Sequence, residues 1–145
     1  MCIRDSIKGI LHPDDALKAI DSGADGVIIS NHGGRQLDGA VATARVLPVI
    51  ADAVKGRIPL LLDGGVRRGR DVLIALALGA TACLVARPQL WGLSVAGQQG
   101  VEHVLNIYRQ ELDRAMGLCG LNSIADVDKS LLFDDDFKAS TTAPE

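Results

Sequence analysis

Four short aliphatic runs, at residues 7–11, 26–30, 59–63 and 82–86, recur along this chain with almost no polar alternation inside them. A strand that is wet on one face alternates apolar and polar side chains. A strand without alternation is covered on both faces, as in a parallel sheet layered by helices. The stretches between the runs have helical spacing. Pro13-Asp14-Asp15 opens one helix, with proline at its first position and two carboxylates at the positive end of its dipole, and Gly23 stops it. Further helices are expected over residues 42–54, 70–78 and 98–116. The order β-α-β-α-β-α-β-α allows two closures, an open doubly wound sheet or a (β/α)8 barrel.

The polar residues choose between them. Lys8, then Ser30-Asn31-His32, then Asp63-Gly64-Gly65, then Arg87 each stand at or just after one of the runs. In a barrel these places share one rim, where active sites sit. A barrel takes about 250 residues and eight strands, so the expected fold class is α/β, the C-terminal half of a (β/α)8 TIM barrel with parallel strands.

Composition narrows the function. At 48% hydrophobic residues the chain is not disordered, and fifteen basic against eighteen acidic residues leave no footprint for nucleic acid. Cys2, Cys83 and Cys119 share no short spacing, which argues against a disulfide framework or a metal site. The longest uncharged run, residues 72–86, is shorter than a membrane span and contains Gly79. Residues 1–6 lack the apolar stretch and cleavage site of a signal peptide. They read as an adapter-like, non-native leader, with residues 7–132 as the half-barrel and 133–145 as a polar, disordered tail.

The rim carries a base, an anion fork and a phosphate cradle. His32 supplies an imidazole, the side chain suited to accepting a proton and returning it, and Gly33-Gly34 beside it allow close backbone approach to a ligand. Arg35 can clamp a carboxylate with paired N–H donors. Asp63-Gly64-Gly65-Val66-Arg67 places backbone N–H groups ahead of a helix, and Arg87 follows the next strand, where barrels hold phosphate.

Ser-Asn-His-Gly-Gly-Arg-Gln-Leu-Asp (30–38), Asp-Gly-Gly-Val-Arg-Arg-Gly (63–69) and Leu-Ala-Leu-Gly-Ala (76–80) resemble the FMN-dependent L-2-hydroxy-acid dehydrogenase/oxidase family. That family includes glycolate oxidase, L-lactate dehydrogenase and mandelate dehydrogenase. The likeness covers about residues 7–132, and Leu37-Asp38-Gly39, Ala44-Arg45 and residues 47–56 are most similar to the L-lactate dehydrogenases.

The resemblance implies FMN as cofactor and oxidation of an L-2-hydroxy acid, L-lactate foremost, to the 2-oxo acid. It implies His32 as the base and Arg35 as the carboxylate clamp. Lys8 would lie at the flavin N1/C2=O edge and Ser30 at the flavin or its ribityl chain. Asp63, Gly65 and Arg67 would hold ribityl and phosphate, with Arg87 on the phosphate. The family usually has glycine where this chain has Ala86, which puts an added methyl near the phosphate. The acceptor would be a quinone, oxygen or a cytochrome. The lactate likeness favours a quinone, with a homo-oligomeric parent in the cytoplasm or at the inner face of its membrane.

The family's first four strands carry tyrosines that meet substrate and an aspartate that orients the histidine, so this chain alone is expected to be catalytically weak. A rival from another class is a non-catalytic half-barrel that binds FMN or phosphate weakly and self-associates through open sheet edges. A third is an isomerase or nucleotide dehydrogenase sharing the phosphate loops, which would have no use for His32 and Arg35 at this spacing. His12 and His103 read as solvated side chains and Asp14 and Asp15 as helix-start charges. Cys83 and Cys119 read as buried small hydrophobes, Trp91 and Tyr108 as packing residues, and Asp134 to Asp136 as a solvated run without metal geometry.

Overall fold

The computed structural model describes residues 5–133. Its elements are β1 (Ser6–Ile10), α1 (Pro13–Asp21), β2 (Gly26–Ile29), α2 (Thr43–Val54), β3 (Leu60–Asp63), α3 (Gly69–Ala77), β4 (Ala82–Leu84) and α4 (Arg87–Leu118), with short 3₁₀ turns at His32–Gly34, Ile124–Asp126 and Lys129–Leu131. The four strands form one parallel sheet in the order β1-β2-β3-β4. Sequential order without crossover is the β/α-barrel arrangement rather than the doubly wound one.

The pleat sorts the strand residues. Val27, Ile29, Leu60 and Leu62 point to the helices and are at most 3% exposed. There they meet Leu47, Ile50 and Val54 of α2 and Ala16 and Ala19 of α1. Each of these buried valine, leucine and isoleucine side chains stabilises the fold by about 1.5–3 kcal/mol relative to exposure. The other face of the sheet carries Ile28 and Leu61, in register with each other and only half-buried. The unalternating strands led us to expect cover on both faces. Among the described residues the helices cover one.

Several boundaries differ from expectation. Ser6 pairs with Gly26 in β1, and the Asp5 carbonyl accepts the N–H groups of Asp25 and Gly26, so the sheet edge takes in two residues assigned to the leader. β2 and β4 end at Ile29 and Leu84, before the polar residues leave the ladder. The chain is already helical from Arg87, eleven residues ahead of the expected start at 98. This first part carries Leu90, Trp91, Leu93 and Val95, all at least half exposed, and so shows no core-facing stripe to read. It breaks at Ala96 and Gly97 (φ 56°) and folds back on the rest of α4. A Cβ on Gly92 or Gly100 would run into the backbone of the other, so only glycine permits this fold-back.

Asp14 and Asp15 stand in the first turn of α1 as expected, and His12 caps that helix, its Nδ1 accepting the Asp14 N–H at 3.2 Å. Tyr108 is buried and donates from its hydroxyl to the Val66 carbonyl at 3.0 Å. Cys83 is half-buried, and burial, with the Asp71 charge behind it, pushes its thiol up to about 11. Cys119 is exposed, at the end of α4, against the expectation of burial. The expected tail lies outside the described residues beyond Phe133, and so does its aspartate run.

Candidate active site

The same pleat places Lys8, Ser30 and Asp63 on the sheet face away from the helices, Lys8 within β1, Ser30 just after β2 and Asp63 at the end of β3. Lys8 Nζ lies 2.7 Å from Asp63 Oδ2 and donates to Ser30 Oγ at 2.9 Å. Ser30 Oγ donates to Asp63 Oδ2 at 2.5 Å. Partial burial raises the Asp63 carboxyl. Hydrogen bonds from Lys8 and Ser30, the Lys8 charge and the Gly64 N–H outweigh that and hold it below its ordinary value of 3.8. Asp63 is therefore an anion at neutral pH and fixes Lys8 as its cation.

The loop after β2 turns sharply. His32 has φ 56°, and Gly33 and Gly34 follow at 68° and 72°. A left-handed backbone costs a residue with a Cβ, and local contacts hold it here. Asn31 accepts the Gly33 N–H at 3.0 Å and donates to the Val41 carbonyl at 3.2 Å. Thr43, buried at the start of α2, donates to the Gly64 carbonyl at 3.2 Å and ties this loop to the next. Gly64 and Gly65 continue the left-handed pattern, at φ 95° and 83°.

One cavity of about 230 Å³ gathers these loops, lined by Lys8, His32, Arg35, Asp63, Gly65, Arg67 and Arg87 among others. Seven of the eight expected site residues thus share it, with the eighth, Ser30, hydrogen-bonded directly behind. Larger grooves exist, one of about 520 Å³ along α4 that adjoins this cavity at Arg67, Pro88 and Trp91, but its lining is mostly apolar. The cavity sets Lys8, Arg35, Arg67 and Arg87 against the single carboxylate of Asp63. Among the described residues the three arginines form no ion pair. Such a surplus of cations suits an anionic ligand.

The phosphate cradle differs in one respect from expectation. The Arg67 and Arg68 N–H groups both donate to Asp71 Oδ2 at 2.9 Å, and the Gly69 N–H donates to Glu111 Oε2 at 2.9 Å. The start of α3 is thus closed by protein carboxylates, which leaves the Gly64-Gly65 turn and the arginine side chains for a phosphate. Arg68 turns away to Glu111, with Nη2 at 2.6 Å from Oε1, and this hydrogen bond holds the Glu111 carboxyl low. Arg87 opens α4 behind Ala86, which has no side-chain cap, and its guanidinium lies 3.7 Å from where a Cβ on Gly33 would stand. Ala86 has φ −119°, so its methyl causes no backbone strain.

Leu84, Pro88, Leu90 and Trp91 form the apolar wall of the cavity. Trp91, expected as a packing residue, is 59% exposed there. An apolar wall and a surplus of cations in one cavity fit a ligand that joins an aromatic ring system to a phosphate, as FMN does. The turn at Gly65 has open space where a Cβ would be.

The FMN-dependent dehydrogenase family matches residues 4–134. The chain belongs to this family. It is 54% identical over 128 residues to a 2-hydroxyacid oxidase of Dictyostelium discoideum, covering 88% of this chain and 33% of the relative. It is 53% identical to an L-lactate oxidase of Nostoc sp. (87% and 34% covered) and 52% identical to an L-lactate dehydrogenase of Alcaligenes faecalis (87% and 33%). A solved mandelate oxidase with benzoyl-formic acid superposes with a TM-score of 0.82 at 51% identity, over 84% of this chain and 36% of the other. A mandelate oxidase mutant with the monooxide FMN adduct gives the same score and identity, with 39% of that chain covered. The chain spans about a third of the length of the curated relatives it matches.

Proposed function

We propose that the natural-length protein oxidises an L-2-hydroxy acid, L-lactate foremost, to the 2-oxo acid, and that this chain supplies its base, carboxylate clamp and phosphate cradle. The observation that carries the reading is the single cavity holding His32 and Arg35 beside a second set of cations, Arg67 and Arg87. A substrate carboxylate and a cofactor phosphate need two anion sites, and in this reading Arg35 serves the first and Arg67 with Arg87 the second.

Arg35 binds the carboxylate through paired N–H donors and so fixes which face of the substrate meets His32. Conversion of a hydroxyl carbon to a carbonyl releases two electrons and two protons, and His32 takes one of the protons. FMN, when bound, would take the two electrons and the other proton. Lys8, steadied by Asp63, offers positive charge where negative charge develops. Gly65, Arg67 and Arg87 hold the phosphate end, and Trp91 and Leu90 exclude water beside it.

The likeness to L-lactate dehydrogenases supports a quinone acceptor and a homo-oligomer at the inner face of the cytoplasmic membrane. Relatives named oxidases keep oxygen as the alternative. The 145-residue chain alone binds FMN weakly and turns over slowly in this account, because Ile28 and Leu61 stay half-exposed and β1 is an open edge. Dye reduction by L-lactate, glycolate and mandelate, with purified natural-length protein, tests the proposal. L-Lactate should give the highest kcat/KM. No reduction with any of the three would overturn it.

A further inference from the structure

The segment between the Gly64-Gly65 turn and α3 is held from α4. Tyr108 is buried there, and its hydroxyl donates to the Val66 carbonyl at 3.0 Å. One turn further along α4, Glu111 takes the Gly69 N–H at 2.9 Å and the Arg68 guanidinium at 2.6 Å. The approach is close enough that a Cβ on Gly69 would run into the backbone of Tyr108, Glu111 and Leu112. Arg67 stands between these two holds and lines the cavity. A phenylalanine or a leucine would fill the space behind the loop, so packing accounts for the ring of Tyr108 and not for its hydroxyl.

The Val66 carbonyl and the Arg67 N–H belong to one peptide unit. Tyr108 holds its oxygen on the buried side, and Asp71 Oδ2 holds its N–H at 2.9 Å on the exposed side. The two holds are unequal. Water can take the place of the carboxylate at an exposed N–H, but not that of the hydroxyl at a buried carbonyl. Burial and the charges of Asp71 and Glu111 push the phenol above its ordinary value of 10, against the pull of Arg67, so it remains a donor at neutral pH.

We propose that Tyr108 is a positioning residue for the anion site: its hydroxyl fixes the peptide between Val66 and Arg67 and so aims the Arg67 guanidinium into the cavity. This rests on the reading of Arg67 as a cation for the cofactor phosphate. A long side chain loses rotamer freedom when it binds, and a fixed backbone root leaves less to be ordered. Without the hydroxyl the buried carbonyl lacks its donor, the peptide turns, and the root of Arg67 moves with it.

Tyr108→Phe in the natural-length protein keeps the ring and removes only the hydroxyl. FMN affinity, followed by flavin fluorescence, should fall about 3–10-fold, the usual range for one hydrogen bond. In an Arg67→Met background the same substitution should change affinity by less than about twofold, because the group it aims is gone. Hydrogen exchange at the Arg67 amide, measured without FMN, should be faster in Tyr108→Phe than in the wild type. Unchanged affinity in Tyr108→Phe, or losses that simply add in the double variant, would overturn the proposal, and so would unchanged exchange. If Arg67→Met itself binds FMN as tightly as the wild type, the phosphate reading of Arg67 fails and the aiming role with it. The exchange measurement tells that failure apart from a Tyr108 that does not hold the loop.

Discussion

The helices after β3 and β4 both begin among arginines at the carboxyl end of a strand, yet their first turns have opposite chemistry. At α3, Asp71 takes the Arg67 and Arg68 N–H groups and Glu111 takes the Gly69 N–H together with the Arg68 guanidinium. At α4, Ala86 offers no cap, Pro88 follows, and Arg87 stands in the cavity without a carboxylate partner among the described residues. The positive end of a helix attracts negative charge, and here the protein supplies it for one helix and not for the other. Anion binding is thus directed less by where the basic residues fall than by where acidic ones are withheld. Arg67 and Arg68 show it one residue apart, the first in the cavity and the second tied to Glu111.

The largest expected effect on cofactor affinity comes from removing the open cation. Arg87→Met should weaken FMN binding by about 10–100-fold, as loss of a charge-assisted hydrogen bond worth about 1.5–3 kcal/mol implies. Flavin fluorescence titration of the natural-length protein checks it, and an unchanged affinity would break the comparison. Next comes the closed helix start. Asp71→Ala should cost about 0.5–2 kcal/mol of stability, the usual worth of a lost helix cap. Its FMN affinity should stay near that of the wild type, so that urea unfolding and titration separate the two roles.

A third effect follows from Asp63. Its carboxyl lies below the ordinary 3.8 in the folded protein, so it favours folding above that value, and the contribution is lost as pH falls through the lower, folded value. The difference in urea midpoint between the wild type and Asp63→Asn should therefore be full at neutral pH and shrink on acidification below about pH 4. A gap that widened on acidification would contradict the Lys8 pairing. The smallest effect belongs to Arg68→Met, which should change FMN affinity by no more than about twofold, since its exposed ion pair faces away from the cavity.

The contrast between Arg67 and Arg68 also marks the limit of what could be read from sequence. Residues 30–38 and 63–69 were legible because strand, turn and functional side chain are contiguous there, and glycines mark the left-handed turns. The partner of Arg68 is 43 residues away, at Glu111, and no local pattern announces it. The fold-back of α4 was hidden for a similar reason: Gly92 and Gly100 need each other's backbone, and neither looks unusual alone. Asn31 and Thr43 were within reach, since an asparagine opening a glycine-rich turn and a threonine at a helix start commonly bond nearby backbone. Trp91 reads from sequence only as a packing residue, and which surface it packs along, here a cavity wall, depends on the course of α4.

Anaerobic mixing of L-lactate with FMN-loaded, natural-length protein, followed by visible absorption, tests the central claim most directly. The wild type should bleach in a single turnover and release one 2-oxo acid per flavin. His32→Ala should bind FMN equally well and bleach about 10²–10⁴-fold more slowly, the usual contribution of a positioned base. Bleaching of His32→Ala at the wild-type rate, or none in the wild type with any 2-hydroxy acid, would contradict the account.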